Sequence, residues 1–397
     1  MNYLSNRVQK LAESETLAMA RLGNELKEKG VNVINMSLGE PDFATPDFVK
    51  IAAKEAIDKN FSYYTPVPGY KDLQEAIAKK FKRDNHLNYK PSEIVVSTGA
   101  KQSIINVVMA TINPGDEAIL PAPFWVSYSE MIQLNEGVVV QLSTDYKSDF
   151  KINPEQLEKA ITSKTKMFLF SNPSNPTGSM YSEKELRALG EVFKKYPQVL
   201  IISDEIYEYI TFEEKMFSIG SIPELSHRTV TINGLSKGFA MTGWRLGYLG
   251  APEDIAKACV KIQGQFTSGA SSISQRAALT AVNADPSIVK EMQVAFKKRR
   301  DLLISLFKEI PNVYCNNPGG AFYLFPEVSF YFGKKYGETI IKDAKDLCMY
   351  LLNVGHVALT PGGAFGAPNY IRLSYATSEE NIREAANRIK KALAELR

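Results

Sequence analysis

A single lysine, Lys237, lies among small and aromatic residues in the segment NGLSKGFAMTGWRLGY (233–248), and Arg245 follows eight positions later. At the end of a buried strand a lysine loses hydration, which lowers its pKa and leaves some neutral amine to act as a nucleophile. A neutral amine condenses with an aldehyde to form a Schiff base. Taken alone, however, Lys237 fits better an exposed loop with a solvated lysine, as most lysines are.

The residues around Lys237 are of types that can bind an anion. Gly234, Ser236 and Gly238 let the backbone approach an anion, and Ser236 adds a hydroxyl donor. Arg245 supplies a planar fork that suits phosphate or carboxylate. Pyridoxal 5'-phosphate (PLP), an aldehyde that carries a phosphate, matches both features. The segment resembles the PLP-lysine motif SxSKxxxxxGxRxG of the class I and II aminotransferases. Its first serine is Gly234 here, so one phosphate contact is missing or made by the backbone.

A second candidate is Asp204, directly after the apolar run of VLIISDEIYEYI. An acid at the carboxyl end of a strand faces the ligand crevice of an open α/β sheet, but Asp is equally common there as a helix N-cap. The segment resembles the DExY segment of the same family. The resemblance implies that Asp204 keeps the pyridine nitrogen protonated and that Tyr207 reaches the ring hydroxyl.

Three further segments follow predicted strands. SNPSNPTG has turn chemistry, yet it resembles the family's NPxNPTG, which implies that Asn175 contacts the ring hydroxyl and the substrate carboxylate. In STGAKQS, Gly99 and Ala100 open a helix whose backbone amides can bind phosphate. PAPFWVSY places Trp125 where the family has an aromatic residue stacked on the pyridine ring, although a packed core aromatic is the ordinary alternative.

Substrate binding is predicted for segments near the two ends of the chain. In SLGEPDF (37–43), the resemblance implies that the backbone N–H of Gly39 binds the substrate carboxylate. In NYIRLSYA, Arg372 lies on one strand face and, in isolation, fits an exposed salt bridge; it matches the family arginine that holds the α-carboxylate bidentately. YYTPVPGY implies that Tyr64 reaches the phosphate of a neighbouring subunit, and therefore a homodimer.

These residues need a scaffold that brings distant segments together. The 397-residue chain favours two domains. Between about residues 90 and 252, short apolar runs alternate with helix-like stretches, which is typical of an α/β domain with a mostly parallel sheet. The runs predicted as strands are 93–96, 117–120, 137–142, 166–170, 199–202, 229–232 and 244–250. Only the lysine segment joins the last two, so we expect that pair to be antiparallel or bent through a tight connection.

The last part of the chain is predicted to be a smaller α+β domain. A long helix starts near residues 285–286, a strand covers 319–328, and Thr377 with Glu380 fits a capping box before the final helix. The resemblance implies fold type I of the PLP-dependent transferases, with a mostly parallel seven-stranded sheet in the large domain. The predicted division is an N-terminal segment 1–44 that joins the small domain, a PLP-binding large domain 45–285 and a small domain 286–397.

Composition excludes several classes of protein. The net charge is +3, with interspersed charges, so no nucleic-acid surface is predicted. Three distant cysteines favour reduced thiols over a disulfide framework or a metal site. No stretch fits a signal peptide or a membrane span, so no membrane association is expected and the predicted location is the cytoplasm.

The motifs occur in family order from SLGEPDF to RLSYATSEEN, which implies a ping-pong aminotransferase acting on amino and 2-oxo acids through a Schiff base on Lys237. The likeness to bacterial aspartate aminotransferases implies L-aspartate and 2-oxoglutarate, with Lys101 and Thr16 near the second carboxylate. Prephenate aminotransferases of that branch use a lysine near position 12, where this chain has Ala12. The alternatives are aromatic amino acids, kynurenine or prephenate as substrates, or a PLP-dependent lyase on the same scaffold.

Overall fold

The computed structural model of the protein describes residues 3–12 and 15–397. The strands are β1 (Ile34–Asn35), β2 (Ile94–Ser97), β3 (Glu117–Ala122), β4 (Val138–Ser143), β5 (Thr165–Ser171), β6 (Leu200–Asp204), β7 (Thr229–Gly234), β8 (Gly247–Gly250), β9 (Tyr323–Leu324), β10 (Lys335–Tyr336), β11 (Thr339–Ile340), β12 (Val357–Ala358), β13 (Thr360–Pro361) and β14 (Ile371–Ser374). The helices are α1 (Asn6–Lys10), α2 (Glu15–Glu28), α3 (Asp47–Asp58), α4 (Lys71–Asn85), α5 (Ala100–Thr111), α6 (Ser127–Leu134), α7 (Pro154–Ala160), α8 (Glu183–Lys195), α9 (Pro223–Ser226), α10 (Glu253–Phe266), α11 (Ser272–Asn283), α12 (Lys290–Phe307), α13 (Ala344–Asn353) and α14 (Glu379–Ala394).

A seven-stranded sheet with the order β2-β8-β7-β6-β5-β3-β4 confirms the predicted α/β architecture. The neighbours from β7 through β6, β5 and β3 to β4 are parallel, whereas β8 is antiparallel to both β7 and β2. The expectation of an antiparallel last pair is therefore confirmed. Because β8 alone is reversed, the carboxyl ends of the other strands meet at one edge of the sheet.

Helices cover both faces of this sheet, which explains the nearly continuous apolar runs of its central strands. In β5, Met167 and Leu169 pack in one apolar cluster with residues of α5. Phe168 and Phe170 point the other way and pack with residues of α8. The alternation of side chains along a strand thus supplies both layers of the core.

The later part of the chain forms a smaller layer. Strand β14 lies between β13 and β9 in a three-stranded antiparallel sheet, and β1 from the N-terminal region pairs in parallel with β12. Helices α12 and α14 pack against each other beside these strands. The N-terminal segment therefore contacts the C-terminal layer, and the boundaries after residues 44 and 285 stay a prediction. No helix within residues 3–12 and 15–397 is long and apolar enough to cross a membrane.

Some predicted bounds are wrong. The run 244–250 starts as a strand only at Gly247, because Trp244 ends a 3-10 turn and Arg245 has a left-handed backbone with φ 53°. The long helix α12 begins at Lys290, after a separate 3-10 turn. Of the predicted strand 319–328, only β9 forms.

The cap of the last helix also differs from the prediction. The side chain of Ser378, and not that of Thr377, accepts the N–H of Asn381 at the start of α14. Ser378 has an extended backbone and an oxygen within reach of the third helical residue, which is the geometry of an N-cap.

Candidate active site

A cavity of about 400 Å³ opens at the carboxyl edge of the seven-stranded sheet, a size typical of small-molecule sites. Most of the residues predicted from the sequence line it, although they come from segments far apart in the chain. The predicted residues in its wall are Thr16, Gly39, Ala100, Lys101, Trp125, Asn175, Asp204, Tyr207, Ser236, Lys237, Arg245 and Arg372. Gly99 lies just behind the wall, and Tyr64 is outside it.

Lys237 follows β7, and its amine points into the cavity. The Nζ atom donates a hydrogen bond to the carbonyl oxygen of Gly39 at 2.6 Å. Burial lowers the pKa of Lys237 to about 8; the cations of Arg372 and Arg245 act in the same direction, and the carboxylate of Glu40 opposes them. About one amine in ten is then neutral at pH 7, against about three in ten thousand for an ordinary lysine.

Asp204 ends β6, and only 5% of it is exposed. Burial raises the pKa of Asp204 to about 6, while the hydroxyl of Tyr128, the N–H of Ile206 and the cation of Lys237 counteract part of that increase. Tyr128 donates to Asp204 Oδ2 at 2.6 Å, and the N–H of Ile206 donates to Oδ1 at 3.3 Å. The site therefore holds a buried carboxylate that can bind a protonated ring nitrogen.

An anion-binding corner forms where α5 begins. Gly99 has φ 87°, and a Cβ added there would lie 2.6 Å from Nη2 of Arg245. An added Cβ at Gly247 would lie 2.2 Å from the backbone nitrogen of Ala100. These glycines let the guanidinium and β8 approach the N-terminus of α5, where backbone amides favour phosphate. Ser236, which is buried, adds a hydroxyl to the cavity wall.

Arg372 in β14 is a buried cation whose hydrogen-bond acceptors are neutral. Its side chain donates to Asn175 Oδ1 at 2.9 Å and to the carbonyl oxygen of Ser37 at 2.6 Å. Burial lowers the pKa of Arg372, which is 2% exposed. Its Nε atom is buried without a hydrogen-bond partner in the part of the chain that the structure describes. Such a guanidinium is suited to donate two parallel hydrogen bonds to a carboxylate.

Lys101, in the first turn of α5, is a further basic residue in the cavity wall. Its Nζ lies 4.8 Å from the ring centroid of Trp125, a cation–π contact. Loss of hydration and, to a smaller extent, the cation of Arg245 lower the pKa of Lys101. Lys101 is exposed and Thr16 is half-buried, and both line the cavity, so both can contact a ligand there.

Two tyrosines of the site were not identified from the sequence. Tyr128 binds Asp204, and the hydroxyl of Tyr323 lies 2.7 Å from that of Tyr207. The Tyr323 ring also lies under the guanidinium of Arg372, 4.7 Å from ring centroid to Cζ. The sequence offered only a weak signal for them, since Tyr128 is an aromatic residue in the segment of Trp125 and Tyr323 lies in a predicted strand without any site motif.

Comparisons with known proteins agree with this geometry. The family model for aminotransferase class I and II matches residues 31–389. The chain belongs to this family. It is 46% identical to the aspartate/prephenate aminotransferase of Nitrosomonas europaea, over 98% of this chain and all of that protein. The fold matches an aspartate aminotransferase from Rhizobium meliloti (TM-score 0.96, 41% identity, all of both chains). It also matches the Thermus thermophilus aspartate aminotransferase with maleate (TM-score 0.93, 38% identity, 99% of this chain and all of that one).

Class I and II aminotransferases depend on PLP, and the donor set of this aminotransferase fits that cofactor. Lys237 offers an amine of lowered pKa for the aldehyde, and Asp204 a buried carboxylate for the ring nitrogen. The corner formed by Ala100, Ser236 and Arg245 offers backbone, hydroxyl and guanidinium donors for the phosphate. The glycine positions that open this corner would be blocked by a Cβ, which is a further sign of a built anion site.

Tyr64 lies outside the cavity of the single chain, with 96% of its surface exposed. A tyrosine exposed to this extent is accessible to another molecule. The role of Tyr64 remains a prediction, because the structure describes one chain.

Proposed function

We propose that this protein uses PLP to move an amino group between L-aspartate and 2-oxoglutarate, with oxaloacetate and L-glutamate as products. The observation that carries the proposal is the buried guanidinium of Arg372, which lies in the same cavity wall as the Lys237 amine. Its hydrogen-bond acceptors are neutral, and its Nε atom has no hydrogen-bond partner among the described residues. A buried cation of this kind is costly unless a ligand supplies the negative charge. An α-carboxylate would do so.

The second carboxylate of the substrate is assigned to Lys101. Within residues 3–12 and 15–397, the cavity wall has four basic side chains, Lys101, Lys237, Arg245 and Arg372, and two acidic ones, Glu40 and Asp204. If Arg245 takes a phosphate and Arg372 an α-carboxylate, Lys101 is left for a further anion. The relative from Thermus thermophilus is described with maleate, itself a dicarboxylate, which supports this assignment.

The chain's own residues would perform the proton transfer. Bound PLP supplies a ring that stabilises the negative charge formed when the α-proton of the substrate leaves. Lys237 Nζ, neutral in part because burial lowers its pKa, takes this proton and returns it as general base and general acid. Arg372, oriented by the Asn175 side chain, holds the α-carboxylate. With PLP bound, Asp204 would supply the negative charge for the ring nitrogen, and Trp125 would offer an aromatic face to the ring.

The test is a half-reaction on the PLP-loaded protein, followed by the change of the cofactor spectrum from the aldehyde to the amine form. We expect aspartate and glutamate to convert the cofactor, and Lys237→Ala to abolish the conversion. Lys101→Met is expected to lower the apparent second-order rate constant for aspartate by about 10- to 100-fold, the effect of losing one hydrogen bond to a charged group. The rate constant for alanine, which has one carboxylate, should change by less than about threefold.

The matched control is Lys79→Met, an exposed lysine on α4 outside the cavity. It should leave both rate constants unchanged. A loss of equal size for aspartate and alanine in Lys101→Met would remove the assignment of Lys101. No conversion with any amino donor would refute the proposed function.

Prephenate is the second candidate acceptor, because the relative from Nitrosomonas europaea is described as an aspartate/prephenate aminotransferase. Against it, position 12 is alanine, and the described contact of Ala12 is its backbone N–H to Glu130 Oε2 at 3.2 Å. Conversion by arogenate, the amino product of prephenate, would establish this activity beside that on aspartate. Conversion by arogenate alone would replace aspartate as the proposed substrate.

We also propose that the active unit is a homodimer in which Tyr64 reaches the neighbouring subunit's cofactor phosphate. The exposure of 96% of Tyr64 supports this arrangement. A cytoplasmic location and the division into two domains are part of the same proposal, and rest on the sequence.

A further inference from the structure

Tyr128 is a fully buried tyrosine in the first turn of α6, with 0% of its surface exposed. Its hydroxyl donates to Oδ2 of Asp204 at 2.6 Å, a length typical of a hydrogen bond to a carboxylate. Its ring meets the ring of Trp125 edge to face, with centroids 5.4 Å apart and an interplanar angle of 86°. The hydroxyl and the ring of one side chain thus contact two residues of the cavity wall.

We propose that Tyr128 is a positioning residue that keeps the Asp204 carboxylate ionised and oriented toward the ring nitrogen of the cofactor. The inference rests on the proposed function, because it assigns Tyr128 a role in holding PLP. The edge-to-face contact with Trp125 restrains the ring of Tyr128, whose hydroxyl binds Asp204.

Among the residues that the structure describes, three charged or titratable groups interact with Asp204. They are Lys237 from the loop after β7, Tyr207 from the segment of Asp204 itself and Tyr128 from α6. Lys237 and the Tyr128 hydroxyl favour the ionised carboxylate, whereas burial disfavours it. If Lys237 is engaged with the cofactor aldehyde, Tyr128 is the side chain left to stabilise the charge. A protonated Asp204 would no longer favour a protonated ring nitrogen.

The experiment compares Tyr128→Phe with the unmodified protein in binding two ligands across pH 5 to 9. One ligand is PLP, and the other is its analogue with carbon in place of the ring nitrogen. Both carry the phosphate and the aldehyde, so the ratio of their dissociation constants isolates the contribution of the ring nitrogen. Equilibrium dialysis of the apoprotein measures each constant without relying on turnover.

In the unmodified protein we expect the preference for PLP to decline as the pH falls through about 6, where Asp204 gains a proton. Tyr128→Phe should move this midpoint upward by about one pH unit, which would lower the preference at pH 6 by about fivefold and at pH 7 by about twofold. Adding Tyr128→Phe to Asp204→Asn should change the preference by less than twofold, because the amide side chain of that variant cannot titrate in this range.

The control is Tyr350→Phe, which also removes a buried hydroxyl donor, here to the carbonyl oxygen of Ala392 at 2.8 Å. It should leave the ratio and its midpoint unchanged. An equal loss for both ligands at every pH in Tyr128→Phe would mean a merely structural role and would overturn the inference. Failure of the unmodified protein to bind PLP would instead remove the proposed function.

Discussion

Gly39 is the position where a single added methyl group should reveal how the carboxylate site is built. A Cβ at residue 39 would lie 2.2 Å from the hydroxyl oxygen of Tyr323 and 3.3 Å from the ring carbon Cζ that carries it. The first distance is far inside an ordinary van der Waals contact of about 3.5 Å. Gly39→Ala therefore forces either Tyr323 or the segment of residue 39 to move.

The contacts of the Tyr323 side chain leave it little room to move away. Its hydroxyl is 2.7 Å from that of Tyr207, and its ring contacts the guanidinium of Arg372 at 4.7 Å and the ring of Phe322 at 4.8 Å. Overpacking at such a site costs about 1–3 kcal/mol. Because residue 39 is assigned to the substrate carboxylate, we expect kcat/KM for aspartate to fall by about 5- to 150-fold.

The assay is a double-mutant cycle with Tyr323→Phe, which removes the clashing oxygen. In that background we expect Gly39→Ala to lower kcat/KM by less than about fivefold, because the nearest remaining contact is the one at 3.3 Å. Gly363→Ala is the control, since a Cβ there meets no atom within 4 Å. If Gly39→Ala costs the same with and without the Tyr323 hydroxyl, the steric explanation is wrong.

Two further predictions concern buried charges. Because burial lowers the pKa of Lys237 to about 8, the apoprotein should capture PLP faster as the pH rises through 8, measured by borohydride trapping and mass spectrometry; a midpoint near 10.5, as for an ordinary lysine, would contradict this. Lys80 and Glu208 form an ion pair with side chains 1% and 4% exposed. Lys80→Ala should therefore lower the free energy of unfolding in urea by about 3–5 kcal/mol. Arg21→Ala, from an exposed pair with Glu25, should change it by less than about 1 kcal/mol, and equal losses would refute the argument.

The central sheet was predictable because the local sequence pattern of its strands is typical of buried strands. Leu200 to Asp204 in β6 and Thr229 to Gly234 in β7 are buried throughout, and both begin with runs of β-branched or apolar residues, which are typical of buried strands. The site residues at their ends followed from the rule that parallel strands direct their carboxyl ends to one edge. The short strands of the smaller layer, such as β9, form through pairing with neighbouring strands, and their local sequence has no comparable pattern.

The residues that the sequence missed make contacts over long separations in the chain. Tyr128 and Asp204 are 76 positions apart, and Tyr207 and Tyr323 are 116 positions apart. An isolated tyrosine next to a motif has the same local signal whether it binds a site carboxylate or fills the core. Only the assembled fold distinguishes the two.

Trp244 and Arg245 were predicted inside a strand because the run 244–250 is largely apolar. The structure instead places Trp244 in a 3-10 turn and gives Arg245 a left-handed backbone. A pattern of apolar residues does not predict the left-handed backbone that brings the guanidinium of Arg245 to the N-terminus of α5. Here the requirement of the site, and not the local propensity, determines the conformation.

The left-handed backbone of Arg245 also implies a compromise between stability and activity. A side chain other than glycine in this conformation costs roughly 1 kcal/mol, and glycine would remove that cost. Glycine would also remove the guanidinium that packs against Gly99 at the anion-binding corner. At position 245 the chain thus has the residue that binds the ligand and not the one that would make the folded protein more stable. Selection for thermal stability alone would tend to replace Arg245 with glycine and to lose cofactor affinity.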